Sequence, residues 1–155
     1  MDKMHPNIRP ATPDEHPILE DLAFRSKAHW GYGSAFMEAS RPFLKLNMEQ
    51  IENNHCFICE EKRKTLGFYS FNMKSTPPEL THLFVDPEYI GIGIGNFLWN
   101  HAITLCRNTG FSKFTFEADP NAAEKFYLKK GCRIITMQKS EVDPGRQIPL
   151  MEFEL

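Results

Sequence analysis

Residues 79–95 read ELTHLFVDPEYIGIGIG, and this stretch decides the fold. Its first half is apolar, β-branched and aromatic, which predicts a strand buried on both faces. Asp86 and Pro87 end that strand, because proline lacks the amide hydrogen that a central strand needs. Glycines alternate after it, and residues 96–109 then carry apolar side chains at helical spacing up to Gly110. The stretch therefore predicts a strand, a turn and a glycine loop that begins a helix.

Gly91, Gly93 and Gly95 are placed to bind an anion at the start of that helix. The first amides of a helix have no partner within it and lie at the positive end of the helix dipole. Those amides can hold a pyrophosphate without help from side chains. Glycine keeps the backbone accessible to the anion and permits positive φ. A tight turn without a ligand is the alternative, and three alternating glycines after a strand favour the anion site.

Two nucleotide-binding motifs fit this loop less well. A Walker loop needs Lys and then Ser or Thr after its last glycine, whereas Asn96 and Phe97 follow here. The dinucleotide fingerprint needs a glycine at its sixth position, where this chain has Asn96. A dinucleotide-binding module stays open, because Glu117 or Asp119 stands about 20 residues on, where a ribose-binding acid would lie.

Val85-Asp86-Pro87 and the glycines after it resemble the coenzyme A pyrophosphate loop of the GNAT superfamily of acetyl-CoA-dependent N-acyltransferases. Ile90 departs from the Arg or Gln that this family usually has before the first glycine. The family's second signature, an alanine, a Phe-Tyr pair and a Lys-Gly pair, is similar to Ala123, Phe126, Tyr127, Lys130 and Gly131. The resemblance implies an α/β fold over a single domain, residues 1–155. Its sheet would be mixed and mostly antiparallel, with one splayed parallel strand pair and helices on both faces.

The same resemblance implies an N-acetyltransferase that uses acetyl-CoA and passes the acetyl group directly to an amine in a ternary complex, without a metal. The backbone of Leu83 and Val85 would bind the acetyl-pantetheine arm beside a bulge in the central strand. The expected coenzyme A contacts are Leu83, Phe84, Val85, Ile90, Gly91, Ile92, Gly93, Ile94, Gly95, Asn96, Phe97, Asn121 and Phe126.

Tyr127 matches the family's general acid, which would protonate the departing thiolate. A phenol has a pKa of about 10 and a thiol about 8.5, so the phenol is protonated near neutral pH. Glu79 lies where the family often has its base. His82 and bulk water remain alternatives for that base, and the reference pKa of histidine suits the task. Strand alternation predicts that Glu79, Thr81, Leu83 and Val85 share one face, with His82 on the other.

Aromatic residues lie where the family has its loop over the acceptor. Trp30 and Tyr32 are expected in the acceptor pocket, since aromatic rings hold cationic amines through cation–π contacts. Phe36 is expected in the core. Arg146, in the loop predicted at residues 142–149, could reach an acceptor carboxylate. The identity of the acceptor stays open.

Composition excludes several function classes. The net charge is −2 without a basic cluster, which argues against nucleic acid as a partner. No apolar run is long enough to span a bilayer and the first residues lack a signal-peptide pattern, so a cytoplasmic protein is expected. The four cysteines are expected in the core rather than in disulfides or a metal site, with Cys56 and Cys59 on opposite faces of a strand. The sequence is equally compatible with a monomer and with a homodimer.

A non-catalytic acyl-CoA-binding or sensor protein on the same fold is the main alternative to the enzyme, because a fold does not fix a function. Ile90, in place of the usual polar residue, keeps this alternative open. The remaining predicted elements complete the order of an α/β layer fold. They are strands at 8–10, 56–60, 66–72, 114–118, 134–137 and 150–154, and helices from 12 or 14 to about 29, at 36–46, 48–53 and 122–130.

Overall fold

The computed structural model describes residues 4–155 except for the side chain of Glu124, and it confirms the α/β fold; residues 1–3 of the predicted single domain lie outside it. The strands are β1 (Asn7–Pro10), β2 (Cys56–Glu61), β3 (Lys64–Asn72), β4 (Glu79–Val85), β5 (Lys113–Glu117), β6 (Arg133–Lys139) and β7 (Gln147–Glu154). The helices are α1 (His16–Ala28), α2 (Ser34–Ser40), α3 (Met48–Glu52), α4 (Ile94–Asn108) and the short α5 (Pro120–Ala122). Short 3-10 turns lie at Pro13–Glu15, Arg41–Leu44 and Pro87–Tyr89.

The strands form one mixed sheet in the order β1-β2-β3-β4-β5-β7-β6. Its single parallel pair is β4 with β5, and these two strands are in register only at Glu79 and Thr115. The Thr115 amide also donates to the Pro78 carbonyl at 3.0 Å. Because pairing stops there, the carboxyl ends of β4 and β5 diverge, as the predicted splayed pair requires. Ligands of open α/β sheets bind at such divergent strand ends.

Two core clusters cover the two faces of the sheet. Helix α4 packs Leu98, Trp99 and Ala102 on one face, and α1 packs Leu19 and Leu22 on the other. Both Cys59 and Cys56 are buried, the first in the α4 cluster and the second in the α1 cluster. The prediction that these cysteines lie on opposite faces of their strand is confirmed.

Strand β4 carries a bulge that the strict alternation predicted from sequence does not include. Opposite β3, Ser70 pairs with His82 and Phe71 pairs with Leu80, so Thr81 is an extra residue in β4. Leu80 therefore joins Leu83 in the α4 cluster instead of facing away from it. The prediction that Thr81 shares a face with Leu83 is wrong, because a bulge shifts alternation by one residue. The bulge itself was expected beside the acetyl-pantetheine arm.

The predicted helix at 122–130 is irregular. Helix α5 continues into a π-helical turn, Ala123–Tyr127, and then a 3-10 turn, Leu128–Lys130. Gly131 ends the segment at φ +88°, as its sequence position predicts. Single π turns are frequent at functional sites. Here the π turn ends on Tyr127.

Gly67 lets β3 approach β4 and α4 closely. A Cβ at this position would lie 2.7 Å from the Phe84 carbonyl oxygen and 2.9 Å from Leu98 Cδ1. We expect Gly67→Ala to lower the free energy of unfolding by about 2 kcal/mol, the usual cost of overpacking. For a chain of this size that is a Tm decrease of about 4–8 °C, measured by thermal denaturation.

Gly145→Ala is the control for Gly67→Ala, since an added Cβ there meets only the Asp143 side chain, at 3.5 Å. Its Tm should stay within about 1 °C of the wild-type value, as for most surface substitutions. Equal Tm values for the two variants would contradict the close packing at Gly67.

Candidate active site

A cavity of about 960 Å³ opens between the divergent ends of β4 and β5. The loop before α4, the segment after α1, residues 120–130 and the β6–β7 connection also border it. Nine of the predicted coenzyme A contacts line this cavity, and they are Leu83, Phe84, Val85, Ile90, Gly91, Gly93, Gly95, Asn96 and Phe126. Four of the predicted catalytic and acceptor residues also line it, and they are Glu79, Tyr127, Trp30 and Arg146.

The glycine loop has the geometry that an anion site needs. Gly91 and Gly93 adopt φ of +88° and +97°, and the space beside their Cα atoms is open. The Phe97 amide donates to the Gly93 carbonyl at 3.0 Å, and this is the first bond of α4. The amides of Ile94, Gly95 and Asn96 precede that bond, so they have no partner within the helix. The loop therefore presents amides at the positive end of a 15-residue helix.

Gly95 is required for a different reason, because it lies against the second signature. A Cβ there would be 3.3 Å from Phe126 Cε2 and 3.8 Å from Val85 Cγ2. The absence of a side chain thus lets the start of α4 pack on the Phe126 ring at the edge of the cavity.

Four predicted coenzyme A contacts lie elsewhere. Ile92, Ile94 and Phe97 border a second, shallower hollow together with Met4 and His5 on the outer side of the loop. The Asn121 side chain donates hydrogen bonds to the Tyr32 hydroxyl and to Asp119 Oδ1. Ile92 lies in the glycine loop and Ile94 and Phe97 lie in the first turn of α4, and none of the three is among the residues that line the cavity.

Tyr127 is buried, with its ring 4.5 Å from that of Phe116 and 5.8 Å from that of Trp99. None of the side chains that the structure describes forms a hydrogen bond with its hydroxyl, and the hydroxyl oxygen is not a fully buried atom that lacks a partner. Tyr127 lines the cavity, so the hydroxyl is accessible from there. Burial raises the pKa of Tyr127 above its usual value of about 10. The phenol therefore stays protonated throughout the physiological pH range and is available as a proton donor.

Glu79 belongs to a group of acidic side chains on one side of the cavity. Burial raises the pKa of Glu79. Burial, followed by the charges of Glu79 and Glu141, raises the pKa of Glu117. All three carboxylates line the cavity. Sequence reasoning did not identify Glu141, and it considered Glu117 only as a ribose-binding acid, because two strands and a loop that are distant in sequence bring the three together.

His82 belongs to a buried polar network instead of facing the cavity freely. Its Nε2 lies 3.2 Å from the Leu44 carbonyl oxygen and its Nδ1 lies 2.9 Å from Thr81 Oγ1. Because a carbonyl only accepts, Nε2 carries the proton and donates it to Leu44. Gln50 Nε2 donates to Thr81 Oγ1 at 2.9 Å and to Ser70 Oγ at 2.8 Å. Burial lowers the pKa of His82 to about 4, so the ring is neutral at physiological pH.

Two of the predicted acceptor residues, Tyr32 and Arg146, meet at Asp119. The Tyr32 hydroxyl donates to Asp119 Oδ2 at 2.7 Å and accepts from Asn121 Nδ2 at 3.2 Å. Arg146 also donates to that hydroxyl, and its guanidinium lies 4.7 Å from the centre of the Tyr32 ring. Lys27 completes this acceptor-side group, with Nζ 3.5 Å from Asp119 Oδ2. Sequence reasoning missed Lys27, since nothing in its helical spacing indicates this contact.

Burial opposes ionisation of Asp119, but hydrogen bonds from Tyr32 and Asn121 and the charges of Lys27 and Arg146 lower its pKa. Burial lowers the pKa of Lys27. Trp30 lies nearby and contacts another cation, with Lys125 Nζ 5.2 Å from its ring. Trp30 and Tyr32, the aromatic residues expected to bind the acceptor, thus already make cation–π contacts with cations of the chain itself.

Among the side chains that the structure describes, no cluster of three or more His, Cys, Asp and Glu has the arrangement of a metal site. Across the same residues, no helix is both long and apolar enough for a membrane span.

Comparisons with known proteins agree on one family. The family model described as "Acetyltransferase (GNAT) domain" matches residues 31–151. An uncharacterised N-acetyltransferase of Methanocaldococcus jannaschii is 28% identical over an alignment of 136 residues that covers 80% of this chain. This chain spans only 59% of the length of that relative.

Solved structures share the fold. A GCN5-related N-acetyltransferase from Rhodopseudomonas palustris superposes with a TM-score of 0.78 at 20% identity, over 100% of this chain and 99% of its own. PaiA N-acetyltransferase from Thermoplasma acidophilum, solved in complex with coenzyme A, gives 0.76 at 16% identity, over 98% and 100% of the two chains. At these identities the likeness concerns the fold.

Proposed function

The chain belongs to the GNAT family of acetyltransferases, and from this premise we propose that it transfers an acetyl group from acetyl-CoA to an amine. The observation that carries the proposal is one continuous cavity that joins the open amides of the glycine loop to the Tyr127 hydroxyl. An anion-binding loop alone would fit many nucleotides. A loop connected to a protonated phenol suits a ligand with a phosphorylated end and a thiol leaving group. We also propose that residues 1–155 form a single domain, because both core clusters pack on one sheet.

The residues of the cavity fit acetyl-CoA. The amides at the start of α4 would hold its pyrophosphate, and Leu83 and Val85 on β4 would hold its pantetheine arm through the backbone. The Thr81 bulge interrupts pairing with β3 beside that arm, and β5 has already diverged on the other side. Acetyl-CoA would supply the activated acetyl group. That PaiA was solved with coenzyme A supports this choice of ligand.

Tyr127 would act as the general acid. Its hydroxyl is protonated, accessible from the cavity and held by ring packing on Phe116 and Trp99. Protonation of the leaving sulfur by a positioned donor lowers the barrier for its departure. The acetyl group passes directly to the amine, because all four cysteines are buried and burial raises the pKa of Cys132, the cysteine closest in sequence to Tyr127.

Glu79 would act as the base that takes a proton from the incoming amine. Burial raises the pKa of Glu79, so kcat/KM should fall as the pH drops through that raised pKa, where the carboxylate gains a proton. We expect Glu79→Gln to remove this acidic limb and to lower the plateau by about tenfold, since water in the open cavity can partly replace the base. The measurement is kcat/KM as a function of pH.

Glu117→Gln is the matched control for the pH profile. Glu117 shares the acidic side of the cavity with Glu79, and its removal deletes a like charge. The acidic limb should then persist and move to lower pH, because a neighbouring negative charge raises the pKa of a carboxyl group. If Glu79→Gln keeps the wild-type profile, His82 or water is the base.

Thiol release from acetyl-CoA, measured with a panel of amines, tests the proposed function. We expect amine-dependent release with stoichiometric acetylation of the acceptor. Tight acetyl-CoA binding without release on any acceptor would favour an acyl-CoA sensor. A thermal-shift titration with NAD addresses the dinucleotide alternative, because a ligand that binds only the folded state raises Tm. Stabilisation by NAD and not by acetyl-CoA would contradict the proposal.

A further inference from the structure

Two groups of charged side chains line the cavity, which Lys45, Lys125, Lys129 and Lys130 also border. Glu79, Glu117 and Glu141 interact in the first group, the acidic side. Lys27 and Arg146 lie around Asp119 in the second group, the basic side. Glu117 and Asp119 are two residues apart along the same extended segment, so their Cα atoms are about 6–7 Å apart, at about 3.3 Å per residue. A small molecule can therefore span the two sides.

The basic side holds more positive than negative charge. Within the described chain, Asp119 is the single carboxylate that pairs with either Lys27 or Arg146. The side chains of Lys27 and Arg146 are only 18% and 21% exposed, and that of Asp119 is 13% exposed. One carboxylate between two cations leaves one positive charge in a largely desolvated place. The rings of Tyr32 and Phe36 contact both cations, but the remaining charge has no counter-ion among the described residues, and such a charge is costly to bury.

Asp119 also cannot satisfy both cations by hydrogen bonds. Its Oδ1 accepts from the Asn121 amide at 2.9 Å and from the Asn121 side chain at 3.1 Å, and its Oδ2 accepts from Tyr32 at 2.7 Å. The cations lie farther from it, with Lys27 Nζ at 3.5 Å and Arg146 Nη2 at 3.6 Å from Oδ2. Donors of Lys27 and Arg146 thus remain for a ligand. Both residues line the cavity.

We propose that the acetyl acceptor is an amino acid or a similar zwitterion, whose carboxylate binds between Lys27 and Arg146 and whose amino group faces Glu79 and Glu117. This inference rests on the proposed function. A carboxylate carries one negative charge, which balances the excess of one positive charge, whereas a phosphate monoester carries −1.5 to −2. The planar Arg146 guanidinium also matches a carboxylate with two parallel hydrogen bonds. The acidic side attracts the ammonium form before it loses its proton to Glu79.

The test compares α-amino acids with their own amides in the thiol-release assay, for example methionine with methioninamide, and includes spermidine as a polyamine. Rates are compared per deprotonated amine, because the amide has the less basic amino group. We expect kcat/KM to favour the amino acid by at least about tenfold, since a site built for a charged group rejects the analogue that lacks it.

Arg146→Gln and Lys27→Gln should each reduce this preference to about twofold or less, because each removes a contact with the acceptor carboxylate. Arg41→Gln is the matched control, since Arg41 pairs with Glu38 on the exposed side of α2. Two separate substitutions keep the test decisive if one of them prevents folding.

Three kinetic results would overturn this inference while leaving the proposed function intact. They are a higher kcat/KM for spermidine than for any amino acid, equal values for the amino acid and the amide, or a preference that survives both substitutions. A weaker Kd for acetyl-CoA in Arg146→Gln would also overturn it, because the cations would then serve the phosphates. No thiol release with any amine would instead contradict the proposed function.

Discussion

Replacing Tyr127 with phenylalanine is expected to lower kcat by about 100-fold or more, the usual contribution of a positioned general acid. The Kd for acetyl-CoA should stay within about twofold, since the deleted hydroxyl is needed when the thiolate leaves, not when the ligand binds. The ring contacts with Phe116 and Trp99 persist in the variant, so the fold should be retained. Single-turnover acetyl transfer and a binding titration measure the two quantities separately.

Tyr69→Phe is the matched control for this prediction. Tyr69, on β3, is also a buried tyrosine, and it is not among the residues that line the cavity. Its hydroxyl lies 2.6 Å from His101 Nδ1. We expect it to lower Tm slightly through the lost hydrogen bond and to leave kcat unchanged. Unchanged kcat in Tyr127→Phe, or the same decrease in both variants, would remove Tyr127 from the mechanism.

Gly93→Ala should weaken acetyl-CoA binding by about 10- to 100-fold, the effect of losing one or two charge-assisted hydrogen bonds. Gly93 has φ +97° and precedes the first turn of α4 with open space beside it. A methyl group there occupies the space through which a pyrophosphate approaches the amides. Isothermal calorimetry with acetyl-CoA measures the loss of affinity.

Gly110→Ala separates backbone strain from loss of the ligand site. Gly110 has φ +84° and open space beside it, but it lies at the other end of α4. The two variants should lose similar stability, about 1–2 kcal/mol for a left-handed residue with a Cβ. Only Gly93→Ala should lose affinity. A similar loss of affinity in both variants would mean that the effect comes from strain and not from the anion site.

The sequence predicts the part of the fold that local physical chemistry controls. Residues 79–95 predict a strand, a proline that ends it and glycines with positive φ. The structure has β4, a turn at Pro87–Tyr89 and positive φ at Gly91 and Gly93. The parallel pairing of β4 with β5 follows from the helix between them. Gly131 similarly ends the last helical segment where glycine is expected.

Two features escape prediction because they depend on tertiary contacts. The Thr81 bulge is set by pairing with β3, and no residue type in β4 marks its place. The group of Lys27, Tyr32, Asp119 and Arg146 joins helix α1 to loops that follow β5 and β6, far apart in the chain. Tyr32 and Arg146 were identified separately, through the family resemblance, whereas their shared partner Asp119 becomes visible only in the folded chain.

The most direct test of the central claim is a crystal structure of the chain with acetyl-CoA. The pyrophosphate should contact the amides of residues 90–96, with the sulfur within hydrogen-bond reach of the Tyr127 hydroxyl. A coenzyme bound outside this loop, or a sulfur with no route to that hydroxyl, would contradict the assignment of this cavity as the site of acetyl transfer.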